Sequence, residues 1–178
     1  MNSKIKHNII LIGFMGSGKT SVGKVLAKRL SYHFCDTDQM LEQKTGDTIS
    51  HLFSLHGEEY FRDLETNLLI EMVPDLHRTV LSTGGGLPIR PKNTDILKEM
   101  GYVIFLKASK ATTVSRLLGD ATRPLLQGDE LETRVEQMLE IRTPMYEKAA
   151  HEIIVTDNKS VQDLVDMIMD SYFKFFNI

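Results

Sequence analysis

The sequence predicts an α/β protein in which helices cover both faces of a parallel β-sheet, a three-layer α/β/α arrangement. Two observations support this fold class. Five short runs typical of strands alternate with longer segments of helical periodicity along the 178 residues. A glycine-rich loop also joins the first of these strands directly to a helix. Since the chain has no internal repeat, low-complexity tract or Pro/Gly-rich linker, we predict a single domain over residues 1–178.

The predicted strands are short runs rich in apolar or β-branched residues, and each intervening helix places its apolar residues along one face. The strands are Ile9–Ile12, His33–Asp36, Thr79–Ser82, Tyr102–Leu106 and Glu152–Val155. The helical faces are formed by Val22, Val25, Leu26 and Leu30, then by Phe61, Leu64, Leu68, Leu69 and Met72, then by Leu131, Val135, Met138 and Leu139, and finally by Val161, Leu164, Val165, Ile168, Met169 and Tyr172. Ser160 with Asp163 predicts an N-terminal cap on the last helix. Ligands of such sheets bind beyond the carboxyl ends of the strands, which directs attention to those ends.

The first strand leads into Gly13–Thr20, which matches the phosphate-binding pattern G-x-x-x-x-G-K-[ST]. Glycines let backbone N–H groups approach a polyphosphate closely, and the following helix presents its unpaired N–H groups there. Lys19 can reach the β- and γ-phosphates, and the Thr20 hydroxyl suits Mg²⁺. We therefore predict a nucleotide phosphate site with Mg²⁺. Its residues are Gly13, Gly16, Ser17, Gly18, Lys19, Thr20 and Ser21.

The second strand ends in Asp36-Thr37-Asp38, whose two carboxylates lie on the same side if the strand stays extended. Beside a phosphate loop, one carboxylate can hold Mg²⁺ through water and the other can accept the proton of a substrate hydroxyl. The alternative is a solvated turn in which Asp38 caps the next helix.

The third strand ends in Gly84-Gly85-Gly86, predicted to be a flexible, exposed loop that lets a ligand approach the backbone. The alternative is a simple turn. This strand end lacks the acid that many nucleotide-hydrolysing motors carry there. The segment Asn158–Val161 also lacks the aspartate of a guanine-reading Asn-Lys-x-Asp. Both absences favour a small-molecule kinase over a GTPase or a motor.

Two arginines are candidates for binding anions. Arg62 lies on a predicted helix, where an ion pair with Glu58 at i,i+4 spacing is an equally good interpretation. Arg123 lies in a loop-like stretch before a proline, where it can belong to a lid that closes over the phosphates or can be a solvated charge.

Two further arginines remain ambiguous by physical reasoning alone. Arg116 can pair with Asp120 at helical spacing instead of contacting a nucleotide, and we favour that pairing slightly. Arg142 follows the helix that carries Leu131 and Val135, and it can be either an anion ligand or a charge at a helix end.

The composition limits the partners that we expect. A net charge of −3 argues against nucleic acid or an anionic membrane as a partner. The amino-terminal residues are polar and contain no signal-peptide core, and no apolar run approaches membrane-spanning length. The single Cys35 excludes an intramolecular disulfide, fits a reducing cytoplasm and is expected to be a small buried hydrophobe. The six histidines with one cysteine show no zinc spacing.

Five motifs in this order make the chain resemble the shikimate kinase family over essentially its whole length. They are Gly13–Thr20, Asp36-Thr37-Asp38, Gly57-Glu58-x-x-Phe61-Arg62, Gly84-Gly85-Gly86, and Arg123-Pro124-Leu125-Leu126 followed by Arg142-x-Pro144-x-Tyr146. The resemblance implies the fold of the nucleoside monophosphate kinases, a P-loop NTPase type with a five-stranded parallel sheet in the order 2-3-1-4-5. It also implies ATP-dependent phosphorylation of the 3-hydroxyl of shikimate to shikimate 3-phosphate, on the pathway to chorismate and the aromatic amino acids.

The resemblance further implies roles for particular residues. Asp38 binds the shikimate hydroxyls and is the candidate base, while Asp36 supports Mg²⁺ through water. The acceptor is held by Arg62, Arg142 and the backbone of Gly84, Gly85 and Gly86. Arg123 meets the phosphates, and Arg116 takes the adenine-side position, which outweighs its pairing with Asp120. Lys19, Asp38 and Arg123 are thus the expected catalytic residues.

We therefore expect a monomeric cytoplasmic kinase with ATP as co-substrate and Mg²⁺ as cofactor. A substrate-binding helical region is expected at about residues 38–72 and a lid at about 117–129. The adenine-contacting residues within Thr156–Lys159 cannot be assigned. The alternatives are a gluconate or nucleoside monophosphate kinase of the same fold, or a non-catalytic nucleotide-binding module.

Overall fold

The computed structural model of the chain describes residues 6–118 and 129–178. Its elements are β1 (Ile9–Ile12), α1 (Lys19–Leu30), β2 (His33–Asp36), α2 (Thr37–Thr45), α3 (Ile49–Met72), β3 (Thr79–Ser82), a 3₁₀ turn (Leu87–Ile89), α4 (Pro91–Met100), β4 (Tyr102–Lys107), α5 (Lys110–Leu118), α6 (Asp129–Ala149), β5 (Glu152–Val155) and α7 (Val161–Phe176). Arg123 and residues 119–128 of the predicted lid lie outside the described residues.

The strands form one parallel sheet in the order β2-β3-β1-β4-β5, which confirms the expected order. In its register, Ile10 pairs with Leu81 on one side and with Val103 on the other. The central position of β1 explains its continuous apolar run, because a strand with helices on both faces exposes neither side to water. All four of its residues are fully buried.

Alternation along the strands divides the core into two layers. Ile10 and Ile12 face a cluster that includes Phe61, Leu69 and Leu97 from α3 and α4. Ile9 and Leu11 face a second cluster, to which α1 and α7 contribute Val22, Leu26, Leu164, Val165, Ile168 and Tyr172. The strands therefore hold α1 and the ends of β2 and β3 in fixed relation at one edge of the sheet.

Two boundaries differ from the sequence prediction. The fourth strand extends one residue further, to Lys107, which pairs with Val155 of the edge strand. The helix that precedes Arg142 does not end before it, because α6 continues through Pro144 to Ala149. Proline removes one helical hydrogen bond. Tyr146 and Ala149, both fully buried beyond it, hold this last part of the helix against the core.

The predicted cap on the last helix is confirmed. Ser160 and Asp163 form a capping box, in which the Ser160 hydroxyl accepts from the Asp163 N–H and the Asp163 carboxylate accepts from the Ser160 N–H. Such reciprocal bonds satisfy two of the donors that a helix N-terminus leaves unpaired.

Candidate active site

A cavity of about 590 Å³ opens at the carboxyl ends of β1, β2 and β3. It brings together most of the residues that the sequence predicted for the site: Gly16, Gly18, Lys19, Thr20, Ser21, Asp36, Asp38, Arg62, Gly84, Gly85, Gly86 and Arg142. Gly13 lies in the same loop at a φ of 146°, and Ser17 is fully buried beneath it. The phosphate loop therefore lines one side of a space whose other side carries carboxylates, arginines and the glycine loop.

The phosphate loop has the geometry of an anion cradle. Gly18 immediately precedes α1 at a φ of 95°, a left-handed conformation, and no described side chain caps the helix there. Lys19 bends back over the loop, where its ammonium group donates to the carbonyls of Gly13 (2.8 Å) and Phe14 (2.9 Å). Uncapped N–H groups at a helix N-terminus beside a lysine favour a phosphate group.

The oxygen atoms needed for Mg²⁺ lie next to this cradle. The Thr20 hydroxyl donates to Asp36 Oδ2 over 3.0 Å and lies 3.4 Å from the Ser82 hydroxyl. Hard cations such as Mg²⁺ prefer oxygen ligands and retain water, so this donor set fits the ion beside a polyphosphate. Among the described residues, no cluster of three histidine, cysteine, aspartate or glutamate side chains could hold a metal unaided.

The assumption of an extended strand through Asp36–Asp38 is wrong, although both carboxylates line the cavity. The strand ends at Asp36, and α2 begins at Thr37. Asp36 itself caps this helix, because its Oδ1 accepts from the Asp38 N–H over 3.1 Å. The alternative interpretation gave this cap to Asp38, which instead lies in the first turn of α2. The turn fixes Asp36 beside Thr20 and Asp38 beside the glycine loop.

Arg62 makes the ion pair with Glu58 and also reaches the cavity, so the two interpretations of this residue are compatible. Its Nη2 lies 2.9 Å from Glu58 Oε1, and its Nη1 donates to Glu65 Oε2 over 2.7 Å. Gly57, at a φ of 81°, breaks the helical conformation just before this segment of α3. Burial acts to lower the pKa of Arg62, but Glu65 and Glu58 outweigh it and raise that pKa. The guanidinium is therefore a permanent, oriented positive charge.

Glu65 is a buried carboxylate that the sequence analysis did not identify. Its Oε2 is held by Arg62, whereas its Oε1 has no hydrogen-bond partner among the described residues. Burial raises the pKa of Glu65 to about 7 against the opposing pull of Arg62, and the charge of Asp38 adds to the rise. A Cβ placed on Gly84 would meet Asp38 Oδ1 at 2.5 Å and Glu65 Oε1 at 3.0 Å. Two carboxylates thus converge over one glycine.

The glycine loop is largely buried, which corrects the expectation of an exposed, flexible loop. Gly84 and Gly86 are buried, and Gly85 is half-buried. The Gly84 N–H donates to the Thr37 hydroxyl over 2.8 Å, and its carbonyl accepts from the Leu87 N–H. A side chain on Gly86 would collide with the Arg62 guanidinium. The glycines therefore allow charged side chains to approach the backbone closely.

Arg142 reaches the cavity from α6. Its guanidinium lies 5.7 Å from the centroid of the Phe14 ring, in the range of a cation–π contact. One turn further along the same face, the Tyr146 hydroxyl donates to the Gly85 carbonyl over 2.5 Å. The cavity therefore carries two arginines, one from α3 and one from α6.

Arg116 lies in a separate, more open cleft of about 450 Å³ with Thr112, Asn158 and Lys159. It donates to the Gly16 carbonyl over 3.0 Å and to the Thr156 hydroxyl over 3.3 Å. Arg116 therefore joins the phosphate loop to the segment that follows β5. Its alternative partner, Asp120, lies outside the described residues.

Glu65 and Tyr146 are two site residues that sequence reasoning missed. Glu65 follows Arg62 at i,i+3 spacing, a signal too common on helix surfaces to single it out. Tyr146 belonged to a quoted motif, but nothing in that motif indicated its contact with the glycine loop. Separately, no helix among residues 6–118 and 129–178 is both long enough and apolar enough to cross a membrane.

Comparisons with known proteins agree with this geometry. The family model described as shikimate kinase matches residues 15–173. A curated shikimate kinase from Thermodesulfovibrio yellowstonii is 41% identical over 170 residues, which cover 96% of this chain and 97% of that protein. One from Burkholderia thailandensis is also 41% identical, over 95% of this chain and 92% of its own.

Solved structures give the same result. Shikimate kinase from Acinetobacter baumannii, solved in complex with shikimate, superposes with a TM-score of 0.87 at 37% identity and covers 97% of this chain and 95% of its own. A gluconokinase from Sinorhizobium meliloti, at 14% identity and a TM-score of 0.58, shares the fold alone. By sequence and by structure, the chain belongs to the shikimate kinase family.

Proposed function

We propose that this protein transfers the γ-phosphoryl group of ATP to the 3-hydroxyl of shikimate and forms shikimate 3-phosphate on the pathway to chorismate and the aromatic amino acids. One observation carries the proposal: a single cavity joins the phosphate loop to an acceptor side with Asp38, Arg62 and Arg142. Shikimate is a small carboxylic acid with ring hydroxyls, so it needs cations for its carboxylate and an acceptor for a hydroxyl proton.

Asp38 is the candidate base for the acceptor hydroxyl. It lies in the first turn of α2, at the same edge of the sheet as Lys19 and the amides that begin α1. A carboxylate there can orient the hydroxyl for in-line attack and take its proton as the phosphoryl group moves. Lys19 and the loop amides stabilise the negative charge on that group.

Mg²⁺ is the proposed cofactor, held by Thr20 and, through water, by Asp36. When bound, it would neutralise charge on the β- and γ-phosphates. The hydrogen bond between Thr20 and Asp36 supports this assignment, because it holds two oxygen atoms together beside the phosphate loop. Arg123 and the lid at about 117–129 remain predictions from the sequence for the contact with the phosphates.

The acceptor carboxylate is proposed to bind between Arg62, Arg142 and the backbone of Gly84–Gly86. The two arginines support this because they approach the cavity from different helices, α3 and α6. Planar guanidinium groups suit a carboxylate, to which they can donate two parallel hydrogen bonds. We further propose that Arg116 lies on the adenine side and that the protein acts as a cytoplasmic monomer on small molecules alone.

A coupled assay of ADP release tests the proposal. With ATP and Mg²⁺, ADP should form rapidly only when shikimate is added, and gluconate or a nucleoside monophosphate should not replace it. Strong turnover with one of those acceptors would identify a different kinase of this fold. ADP release with no acceptor requirement would contradict the proposal outright. Binding of ATP without turnover on any acceptor would indicate a non-catalytic nucleotide-binding module.

Replacing Asp38 with asparagine tests the assignment of the base. We expect turnover to fall by roughly a hundredfold or more, since positioned proton transfer contributes about 10²–10⁴-fold, while ATP affinity stays within about twofold. The matched control is Asp63→Asn, an exposed aspartate on α3 that pairs with Arg90 outside the cavity. Near-normal turnover of Asp38→Asn would remove Asp38 from the chemistry.

A further inference from the structure

Tyr146 is the buried residue of this site whose chemistry the proposed mechanism leaves unexplained. Its side chain is fully buried in α6, and its ring lies 5.1 Å from that of Phe105 between centroids. Burial raises the pKa of its hydroxyl to about 12, although the charge of Arg142 and a hydrogen bond with the Arg142 side chain act in the opposite direction. The hydroxyl is therefore a proton donor at any physiological pH, and its recorded acceptor is the Gly85 carbonyl at 2.5 Å.

That contact fixes the direction of a peptide group. The Gly85 carbonyl and the Gly86 N–H belong to the same planar, trans peptide unit, so they point in opposite directions. A donor that holds the carbonyl toward α6 therefore turns the Gly86 N–H away from α6. Neither glycine has a side chain that could restrict rotation of this peptide, and Gly86 is packed against the Arg62 guanidinium. The carbonyls of Gly84 and Gly86 accept from the N–H groups of Leu87 and Ile89, whereas the Gly85 carbonyl is held by Tyr146.

Among residues 6–118 and 129–178, the Gly86 N–H makes no hydrogen bond to a backbone carbonyl in a turn, loop or helix cap. It is a donor beside a buried cation, at the wall of the cavity. Donors that converge in this way favour an anionic group, and fixing their direction in advance removes part of the entropic cost of binding it.

We propose that Tyr146 is a positioning residue for the acceptor: by holding the Gly85 carbonyl, it orients the Gly86 amide toward the acceptor carboxylate. This inference rests on the proposed function, because it takes the anion beside Arg62 and Arg142 to be the acceptor. In this role Tyr146 contacts neither the acceptor nor the nucleotide, but it holds the Gly85 carbonyl and is bonded to Arg142, and both belong to the acceptor side. Its effect should therefore appear in acceptor affinity and not in nucleotide affinity.

Kinetics of Tyr146→Phe test the proposal. The expected result is a KM for shikimate raised about tenfold, which corresponds to about 1.4 kcal/mol, with the KM for ATP within about twofold of wild type. The matched control is Tyr172→Phe, which removes another buried hydroxyl, bonded to the Tyr32 hydroxyl over 2.8 Å on the other face of the sheet. Equal loss of thermal stability in both variants, with no selective rise in the shikimate KM, would overturn it.

A spectroscopic measurement separates this inference from the proposed function. In protein labelled with ¹⁵N-glycine, the Gly86 amide resonance should shift in Tyr146→Phe and stay in place in Tyr172→Phe, whichever acceptor the enzyme uses. Wild-type protein alone provides a second readout, since a buried, bonded Tyr146 hydroxyl proton should exchange slowly enough with water to be observed. An unmoved Gly86 amide, or rapid exchange of that hydroxyl proton, would refute the positioning role even if shikimate turnover is confirmed.

Discussion

Glu65 shows what a single buried charge does to this site. Its side chain is 1% exposed, it shares a cavity wall with Asp38, and burial raises its pKa to about 7 from an ordinary value of 4.5. Arg62 opposes this rise but does not cancel it. Since Arg62 is permanently charged, Glu65 is the partner of the pair that gains and loses a proton near neutral pH.

The raised pKa makes a prediction about stability. Between about pH 4.5 and pH 7, folded protein holds a proton on Glu65 that the unfolded chain has already released. The free energy of unfolding therefore contains a contribution that is complete below the unfolded pKa and is lost as pH rises toward 7. The glutamine introduced by Glu65→Gln cannot ionise. As pH rises through this window, the free energy of unfolding of the variant should therefore increase relative to that of wild type, by on the order of 3 kcal/mol at most.

Urea unfolding at about pH 5 and about pH 8 measures this difference. The control is Glu59→Gln, because that glutamate is 90% exposed and should follow wild type at both values. Parallel stability profiles for wild type and Glu65→Gln would mean that Glu65 is ionised throughout. In that case the pull of Arg62 would dominate the burial of the carboxylate.

At the residue scale, the sequence identified the cations and carboxylates of the cavity better than their contacts. Arg62 and Arg142, which stayed ambiguous by physical reasoning, were singled out by the resemblance to the shikimate kinase family. Lys19 and Asp38 could be named because a phosphate loop limits which neighbouring strand ends can hold an acceptor. Glu65 could not, since a glutamate three residues after an arginine on a helix is usually solvated. Only the tertiary structure shows that this turn of α3 faces inward.

At the scale of elements, a hydrogen-bond cluster joins the end of β5 to the start of α5. The Asp157 carboxylate accepts from the Ser109 N–H, from the Ser109 hydroxyl at 2.5 Å and from the Thr112 hydroxyl. Burial acts to raise the pKa of Asp157, but the bonds from Ser109 and Thr112 lower it. At the other end of α5, Arg116 bonds the same strand-end segment and the Gly16 carbonyl. The cleft beside Arg116 is thus tied at both ends of α5.

Asp157→Ala should loosen this connection and weaken nucleotide binding selectively. Loss of an intramolecular hydrogen bond costs about 1 kcal/mol net, so we expect the KM for ATP to rise about fivefold while the KM for shikimate is unchanged. Asp163→Ala is the matched control, since it removes the carboxylate of the capping box on α7 and should reduce stability by a similar amount. A rise in the ATP KM in both variants would point to general loosening.

Element boundaries were predictable where the chain carries a local signal. The five strands and the cap of α7 follow from short apolar runs and from Ser160 with Asp163. The continuation of α6 through Pro144 did not follow, because proline locally opposes a helix and burial of Tyr146 overrides that preference. The bend between Asp36 and Asp38 was missed for a similar reason. A capping aspartate and an extended aspartate look alike in sequence.

At the scale of the whole molecule, the carboxyl ends and the amino ends of the parallel strands differ in role. The cavity, the phosphate loop and the glycine loop all lie at the carboxyl ends of the strands. Near the amino ends of the strands, Asn8 is fully buried just before β1. Its Nδ2 donates to the carbonyls of Leu76 (3.0 Å) and Met100 (2.7 Å), and its Oδ1 accepts from the Thr79 N–H (3.0 Å). One side chain thus joins the ends of α3 and α4 to the start of β3.

Asn8→Ala should therefore separate stability from function. The substitution removes the side-chain partner of two carbonyls and one N–H, and at about 1 kcal/mol or more for each of these groups the loss is about 3 kcal/mol or more. Urea unfolding should detect this loss, whereas both substrate KM values should stay within about twofold of wild type at a temperature where the variant is folded.

Asn93→Ala is the comparison, because Asn93 is also fully buried but donates to the Leu87 carbonyl directly after the glycine loop. That variant should lose stability and shikimate affinity together. If Asn8→Ala raised the shikimate KM as much as Asn93→Ala, the two ends of the strands would be mechanically coupled. The division between a stabilising end and a functional end would then be wrong.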